Sequence, residues 1–262
     1  IPPKNRTFAV LAVQDLEIRV GARLLMADVS FRVDKGDKVG LVGRNGAGKT
    51  TMTRALAGEG QPTGGTITRT GEIGYLPQDP RAGDPEQLAR TRILDARGLG
   101  SIVLELQQAG VEMGSDEPAV AEKAMARYSR LTDRFQSLGG YSAEAEAAAI
   151  ASNLNLPDRI LGQPLSTLSG GQRRRIELAR ILFSDAETMI LDEPTNHLDA
   201  DSVVWLREFL KAYQGGFIVI SHDVALVEET VNRVFYLDGN RQVIDIYNMG
   251  WKHYLRQRAA DA

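Results

Sequence analysis

The sequence predicts an α/β fold, a mixed sheet with helices packed on it, and three observations carry that prediction. Lys38-Val39-Gly40-Leu41-Val42 is a short apolar strand that runs straight into a glycine-rich loop and then into helix-forming sequence from Lys49 to Gly58. Downstream, Met189-Ile190-Leu191 and Phe217-Ile218-Val219-Ile220 are short apolar runs separated by an amphipathic stretch around Ser202 to Tyr213, the alternation of a parallel sheet covered by helices. Between these halves, residues 84–155 are rich in Ala, Leu, Glu and Arg and poor in β-branched residues, which predicts a helical lobe. With 262 residues, 43% hydrophobic and 25% charged, the chain has the make-up and length to bury a full core.

Residues 8 to 34 read as an antiparallel β pair, because Val29, Phe31 and Val33 alternate with Ser30, Arg32 and Asp34. Further strand sequence lies at Thr66 to Thr68 and Glu72 to Leu76. Within the helical lobe, Gly114-Ser115-Asp116-Glu117-Pro118 supplies a stop, an N-cap and a first-turn proline, so two helices meet there as a hairpin over about 99–140. Gly139-Gly140 ends the second of them. The predicted organisation is a core with a β subdomain (1–83 and 156–250), a helical subdomain with an inserted arm (84–155), and the start of a linker at 251–262.

Composition excludes several classes. Cysteine is absent, so there is no disulfide framework and no thiolate metal site, which suits a cytoplasmic setting. No apolar run reaches the roughly 18 residues that span a bilayer, and Ile1-Pro2-Pro3-Lys4 has no signal-peptide pattern, so any membrane role needs a separate chain. A net charge of −3 gives no global attraction to nucleic acid; contact with RNA needs a local basic patch. The start without Met and the end in Arg256-Gln257-Arg258-Ala259-Ala260-Asp261-Ala262 lead us to expect a piece of a longer protein.

Gly43-Arg44-Asn45-Gly46-Ala47-Gly48-Lys49-Thr50, between strand and helix, is a complete Walker A phosphate loop. Its glycines let main-chain N–H groups face phosphates, the helix start adds partial positive charge, Lys49 reaches the β- and γ-phosphates and the Thr50 hydroxyl ligates Mg2+. Thr51 completes the nucleotide-binding set. Asp192-Glu193 ends a buried strand, where ligand sites of open α/β sheets lie. Asp192 is placed for Mg2+ coordination, and Glu193 for orienting or deprotonating water. Leu168-Ser169-Gly170-Gly171-Gln172 opens the helical run Arg173 to Phe183 and forms a second anion-binding helix start.

Taken with Walker A, Leu-Ser-Gly-Gly-Gln resembles the signature of ABC ATPases, and other elements of that family follow in order. Gln78 in Tyr-Leu-Pro-Gln resembles the Q-loop, a catalytic and metal position; Asp199 the D-loop; His222 in Ile-Ser-His-Asp the switch histidine. The resemblance implies an ABC-type P-loop core, ATP and Mg2+ as ligands, and head-to-tail pairing with a second nucleotide-binding domain. In that pair Ser169, Gly170, Gly171 and Gln172 grip the ATP held by the opposite Walker A. One departure stands out: Ile18-Arg19-Val20-Gly21-Ala22-Arg23 lacks the early aromatic that stacks on adenine in many ABC ATPases. Val20 or a nearby Arg must serve instead, leaving ATP and GTP both open.

Glu193-Pro194-Thr195-Asn196-His197-Leu198-Asp199 resembles the ABC-F branch, two-domain proteins without membrane domains that act on ribosomes, and the long interval from Gln78 to Ser169 leaves room for that branch's arm. The resemblance implies translation regulation or ribosome protection against antibiotics, and a ribosome (rRNA or tRNA) as partner. The rival readings are the ATPase subunit of a membrane transporter and a nucleotide-gated module with negligible turnover. On the second hairpin helix, Lys123, Arg127, Arg130 and Arg134 fall within roughly 60° of one another, a basic ridge beside an apolar stripe of Tyr128, Leu131, Phe135 and Leu138. The ridge suits RNA phosphates or an ordinary solvated face; over 99–150 as a whole, acids outnumber bases.

Overall fold

The computed structural model describes residues 10–79 and 83–261, so the first part of the expected β-rich stretch, residues 8 and 9, lies outside the described residues. The chain divides into two compact units, one of Ile1–Pro80 with Ala186–Ala262 and one of Arg81–Asp185.

The first unit contains two sheets. β1 (Leu11–Val20), β2 (Arg23–Val33) and β4 (Gly64–Arg69) form an antiparallel sheet in the order β2-β1-β4. β3 (Lys38–Gly43), β5 (Ile73–Leu76), β6 (Thr188–Asp192), β7 (Gly216–Ile220), β8 (Arg233–Asp238) and β9 (Val243–Tyr247) form a six-stranded sheet in the order β5-β6-β7-β3-β8-β9. It is parallel except for β9, which pairs antiparallel with β8. β6 and β7 are buried along their whole lengths, which is why they read as unbroken apolar runs and not as alternating ones.

Helix α1 (Lys49–Ala57) buries Met52, Ala55 and Leu56 in a core shared with Leu11, Phe31, Ile190, Ile218 and Phe235. Phe31 and Phe235 meet edge to face at 4.9 Å. The C-terminal carbonyls of α1 are capped by charge as well as by turn geometry: Arg69 donates to the Leu56 and Ala55 carbonyls, both at 2.6 Å. Helices α8 (Ala200–Ala212), α9 (Val224–Thr230) and α10 (Trp251–Ala260) complete the unit.

The second unit is helical: α2 (Ala89–Leu94), α3 (Gly100–Glu112), α4 (Pro118–Ser137), α5 (Gly140–Asn153), α6 (Asp158–Leu161) and α7 (Gly170–Phe183). α3 and α4 pair across residues 113–117 as the expected hairpin. Gly140 is required by close approach: a Cβ there would lie 2.5 Å from the Phe135 ring. The unit runs past residue 155, where composition placed its end, because α7 packs on α2 and α5. Arg92 bonds Glu177 at 2.7 Å, Arg180 bonds the same carboxylate, and the Arg97 guanidinium lies 3.9 Å over the Phe183 ring while pairing with Glu146. Arg92, Glu177 and Arg180 are sequestered enough to require one another, since removing one strands the others, whereas Glu146 is 49% exposed. Among the described residues, no helix is long and apolar enough to cross a membrane.

Candidate functional site

The carboxyl ends of β3, β7 and β6 are neighbours in the sheet, and each carries a segment that sequence reading singled out. β3 ends at Gly43 and passes through the phosphate loop into α1. The N-cap of α1 is Gly48 at φ 109°, a left-handed conformation that a side chain would strain, and a Cβ there would stand 3.0 Å from Leu25 Cδ1. The leading N–H groups of a helix have no intrahelical partner. In α1 they belong to Lys49, Thr50 and Thr51, which line a cleft of about 510 Å3 together with Asn45, Gly46 and Gly48. The other loop residues contribute differently: Ala47 is buried in the core, and Gly43 and Arg44 offer their carbonyls to Lys49.

Lys49 Nζ donates to the Gly43 carbonyl at 2.6 Å and to that of Arg44 at 3.3 Å. Burial lowers the ammonium pKa from its ordinary value, while the carboxylates of Asp192 and Glu193 act in the opposite sense. A cation held by carbonyls beside two acids is a ready counter-charge for an incoming polyanion. Thr50 Oγ1 donates to Asp192 Oδ2 at 3.0 Å, and Asp192 is 2% exposed. Among the described residues no group of three or more His, Cys, Asp or Glu could hold a metal. A hydroxyl beside one carboxylate nevertheless fits Mg2+, which takes one or two protein oxygens and completes its shell with water and substrate phosphates. Gln78 lines the same cleft.

Asp192 pairs with Ile220 in the parallel ladder, so the residues that follow each strand emerge side by side. Glu193 N–H donates to the Ile220 carbonyl at 2.8 Å, and the Glu193 backbone is left-handed at φ 53°. Its carboxylate receives the His222 main-chain N–H at 3.3 Å and the His222 imidazole through Nδ1. Glu193 is buried, whereas the His222 side chain is mostly exposed. The cleft therefore presents a carboxylate held from a histidine that is open to solvent.

The remaining sequence-predicted positions have defined local settings. Asp199 caps α8, its carboxylate accepting from Ser202 N at 2.8 Å. Asn196 and His197 are exposed on the preceding turn, with His197 left-handed at φ 66°. Ser169 and Gln172 form a reciprocal capping box on α7: Ser169 Oγ accepts from Gln172 N at 3.1 Å and Gln172 Oε1 accepts from Ser169 N at 2.9 Å. The signal was present in the sequence as Ser-x-x-Gln, and the first two helical positions are Gly170 and Gly171. Of the basic run that follows, Arg174 is buried and Arg175 holds the Leu154 and Asn155 carbonyls.

The hairpin ridge is less uniform than its periodicity suggests. Lys123, Arg130 and Arg134 are exposed, but Arg127 reaches back to Glu112 of α3 at 2.9 Å. The buried stripe of α4 is Ala124, Leu131 and Phe135; Tyr128 and Leu138, expected in it, are exposed.

Comparison with known proteins agrees with this geometry. The ABC transporter family model matches residues 26–196. The chain is 36% identical over 259 residues to the tylosin resistance ATP-binding protein TlrC of Streptomyces fradiae, covering 96% of this chain and 46% of that protein. It is 34% identical over 223 residues to the energy-dependent translational throttle protein EttA of Haemophilus influenzae, covering 82% of this chain and 39% of that protein. The chain thus spans less than half the length of these relatives, which belong to the ABC-F branch. In fold it is similar to a solved ATP-binding subunit of an ABC transporter (TM-score 0.70, 20% identity, 95% of this chain and 93% of that one) and to the RNase-L inhibitor (TM-score 0.66, 20% identity, 98% and 42%). The phosphate loop, the acidic strand end beside it and the family match over most of the chain lead to one conclusion: the protein belongs to the ABC transporter family, as an ATP-binding domain of the ABC type.

Proposed function

We propose that this chain is the first nucleotide-binding domain of an ABC-F protein, hydrolysing ATP when joined head to tail with a second such domain. In this reading the parent protein is cytoplasmic and acts on the ribosome, in translation control or in protection from antibiotics. The observation that carries the catalytic part is one cleft holding both the Thr50–Asp192 pair and the Glu193–His222 pair. Lys49 and the first N–H groups of α1 bind the phosphates; Thr50, Asp192 and Gln78 hold Mg2+, which when bound neutralises phosphate charge. Glu193 orients and deprotonates the attacking water, and His222 faces the γ-phosphate and steadies Glu193. Ser169, Gly170, Gly171 and Gln172 serve the site of the opposite domain, and Asp199 lies at the seam between the two.

The names of two relatives, a resistance protein and a translational throttle, support the ribosomal setting over a transporter subunit. The primary test is binding. Lys49→Ala is expected to weaken MgATP binding at least tenfold in equilibrium dialysis, with the unfolding midpoint little changed. Undiminished MgATP binding by that variant overturns the assignment of the cleft.

A further inference from the structure

The phosphate loop is rich in glycine, yet two of its residues are backed from outside. Gly43, its first residue, pairs with Leu237 of β8, and a Cβ there would stand 2.8 Å from the Leu237 carbonyl oxygen. Ala47 is buried and set between Gly46 at φ 78° and Gly48 at φ 109°. Glycines permit many main-chain directions, so the buried methyl between them is the fixed point from which the neighbouring N–H groups are aimed. Gly239, the first residue of the β8–β9 turn, comes close to that point: a Cβ on it would stand 3.5 Å from Ala47 Cβ and 3.8 Å from Ala47 Cα. The stretch Leu237 to Gly239 therefore backs the loop at its first residue and at its fixed point.

The turn is built to stay in place. The Asp238 carboxylate accepts from the main-chain N–H groups of Asn240 at 2.9 Å and Arg241 at 3.0 Å, and from Arg241 Nε at 2.8 Å. Arg241 Nη2 reaches on to the Asp245 carboxylate of β9. The guanidinium and main-chain N–H of Arg241 hold the Asp238 carboxyl down at about 2. Gln242 closes the turn with its N–H on the Asp238 carbonyl at 2.7 Å, and its own carbonyl accepts from Ala27 N–H of β2 at 3.0 Å, so the second sheet holds the turn as well. Asp238, Arg241 and Asp245 do not line the nucleotide cleft, and no step of the proposed reaction uses them.

We propose that the β8–β9 turn, clamped by Asp238 and Arg241, is the positioning element of the phosphate loop, with Gly239 acting through Ala47. The proposal rests on the nucleotide-binding reading above and adds positioning residues to that site. A close-packed interior passes a displacement on, and misplacing a binding group by about 1 Å costs up to about 10²-fold. A turn that recedes or advances therefore changes how the main-chain N–H groups meet the phosphates, while the base is untouched.

The test is equilibrium competition of MgATP, and of tripolyphosphate with Mg2+, against a fluorescent ATP analogue, with urea unfolding run on the same proteins. Gly239→Ala adds its methyl at ordinary contact distance and is expected to bind both probes within about twofold of the parent. Gly239→Val adds two carbons beyond that methyl and is expected to weaken both about tenfold and in equal proportion. Arg241→Gln loosens the clamp at an exposed side chain and is expected to weaken both about threefold with an unmoved unfolding midpoint. Asn240→Ala keeps the main-chain donor to Asp238 and is expected to bind as the parent does. A purely structural role would lower the midpoint and leave the affinity of the folded protein alone. The proposal is overturned if Arg241→Gln or a folded Gly239→Val binds tripolyphosphate as the parent does, if either loses MgATP only, or if Asn240→Ala loses as much as Arg241→Gln. Should Gly239→Val fail to fold, Arg241→Gln decides alone. Failure of the parent to bind either probe strikes instead at the nucleotide-binding reading of the cleft.

Discussion

Glu193 adopts a left-handed backbone that costs a residue with a side chain roughly 1–2 kcal/mol. The conformation is held by the Ile220 carbonyl on one side and by the His222 main-chain N–H on the other, with the His222 imidazole against the carboxylate. The strain turns the acid out of the ladder and towards the cleft, while Asp192, one residue earlier, stays in register and takes Thr50. Consecutive acids thus have separate partners. Glu193→Gln preserves shape and removes the basic oxygen. In the proposed two-domain parent it is expected to bind ATP as well as the unmodified protein and to lower turnover by about 10² to 10⁴, the range for loss of a general base. Phosphate release gives the rate, and nucleotide retention on a desalting column reports whether the closed form accumulates. Undiminished phosphate release removes Glu193 from this role. The Asp-Glu pair was legible in the sequence because it ends an apolar run. The left-handed turn was not, because glutamate carries no signal for positive φ.

Helix α7 shows how one element carries two duties. Its capping box satisfies donors at the exposed start of the helix, while the body buries Ile176, Leu178, Ile181 and Phe183 against the helical unit. Ser169→Ala is therefore expected to lower the stability of the whole chain by about 1 kcal/mol, and Ser169→Thr to keep most of it. Urea unfolding followed by circular dichroism measures both; an unmoved midpoint in Ser169→Ala means that the box adds nothing to stability. This element also marks where sequence reading stopped short. Amphipathic helices announce that one face is buried but not what buries it, so α6 and α7 were grouped with the sheet. Their partners are α2 and α5, and the Arg92–Glu177–Arg180 cluster that fixes the packing joins residues far apart in sequence. The strands were easier, because β3, β6 and β7 are buried on both faces and turn breakers bound them. Much of the cleft lining was readable for the same reason: Asn45, Gly46, Gly48 to Thr51, Asp192, Glu193, Ile220 and His222 sit at or just after the ends of those strands, whereas Val20, Arg23 and Leu25 come from β1 and β2.

For the molecule as a whole, electrostatics decide how it can meet RNA. A net charge of −3 provides no general attraction, so any contact with phosphates depends on local groups such as those of the α3–α4 hairpin. Periodicity alone counts Lys123, Arg127, Arg130 and Arg134 as equals, but Arg127 is committed to Glu112 within the hairpin. Only the exposed three can neutralise phosphates without giving up an existing partner of that kind. Each phosphate contact contributes about 0.7 to 0.9 to the slope of log affinity against log salt. If the proposed ribosomal role uses this ridge, changing Lys123, Arg130 and Arg134 together to Gln in the full parent is expected to flatten that slope by about two. The measurement is co-sedimentation with ribosomes across a salt series, using the Glu193→Gln background so that the ATP-bound form persists. Arg127→Gln is the control: it breaks the hairpin ion pair and is expected to leave the slope unchanged, since the pair never exposed that charge fully. A slope that ignores the triple change assigns the ridge to solvent, and one that responds equally to Arg127→Gln shows that the Glu112 pair opens on the ribosome.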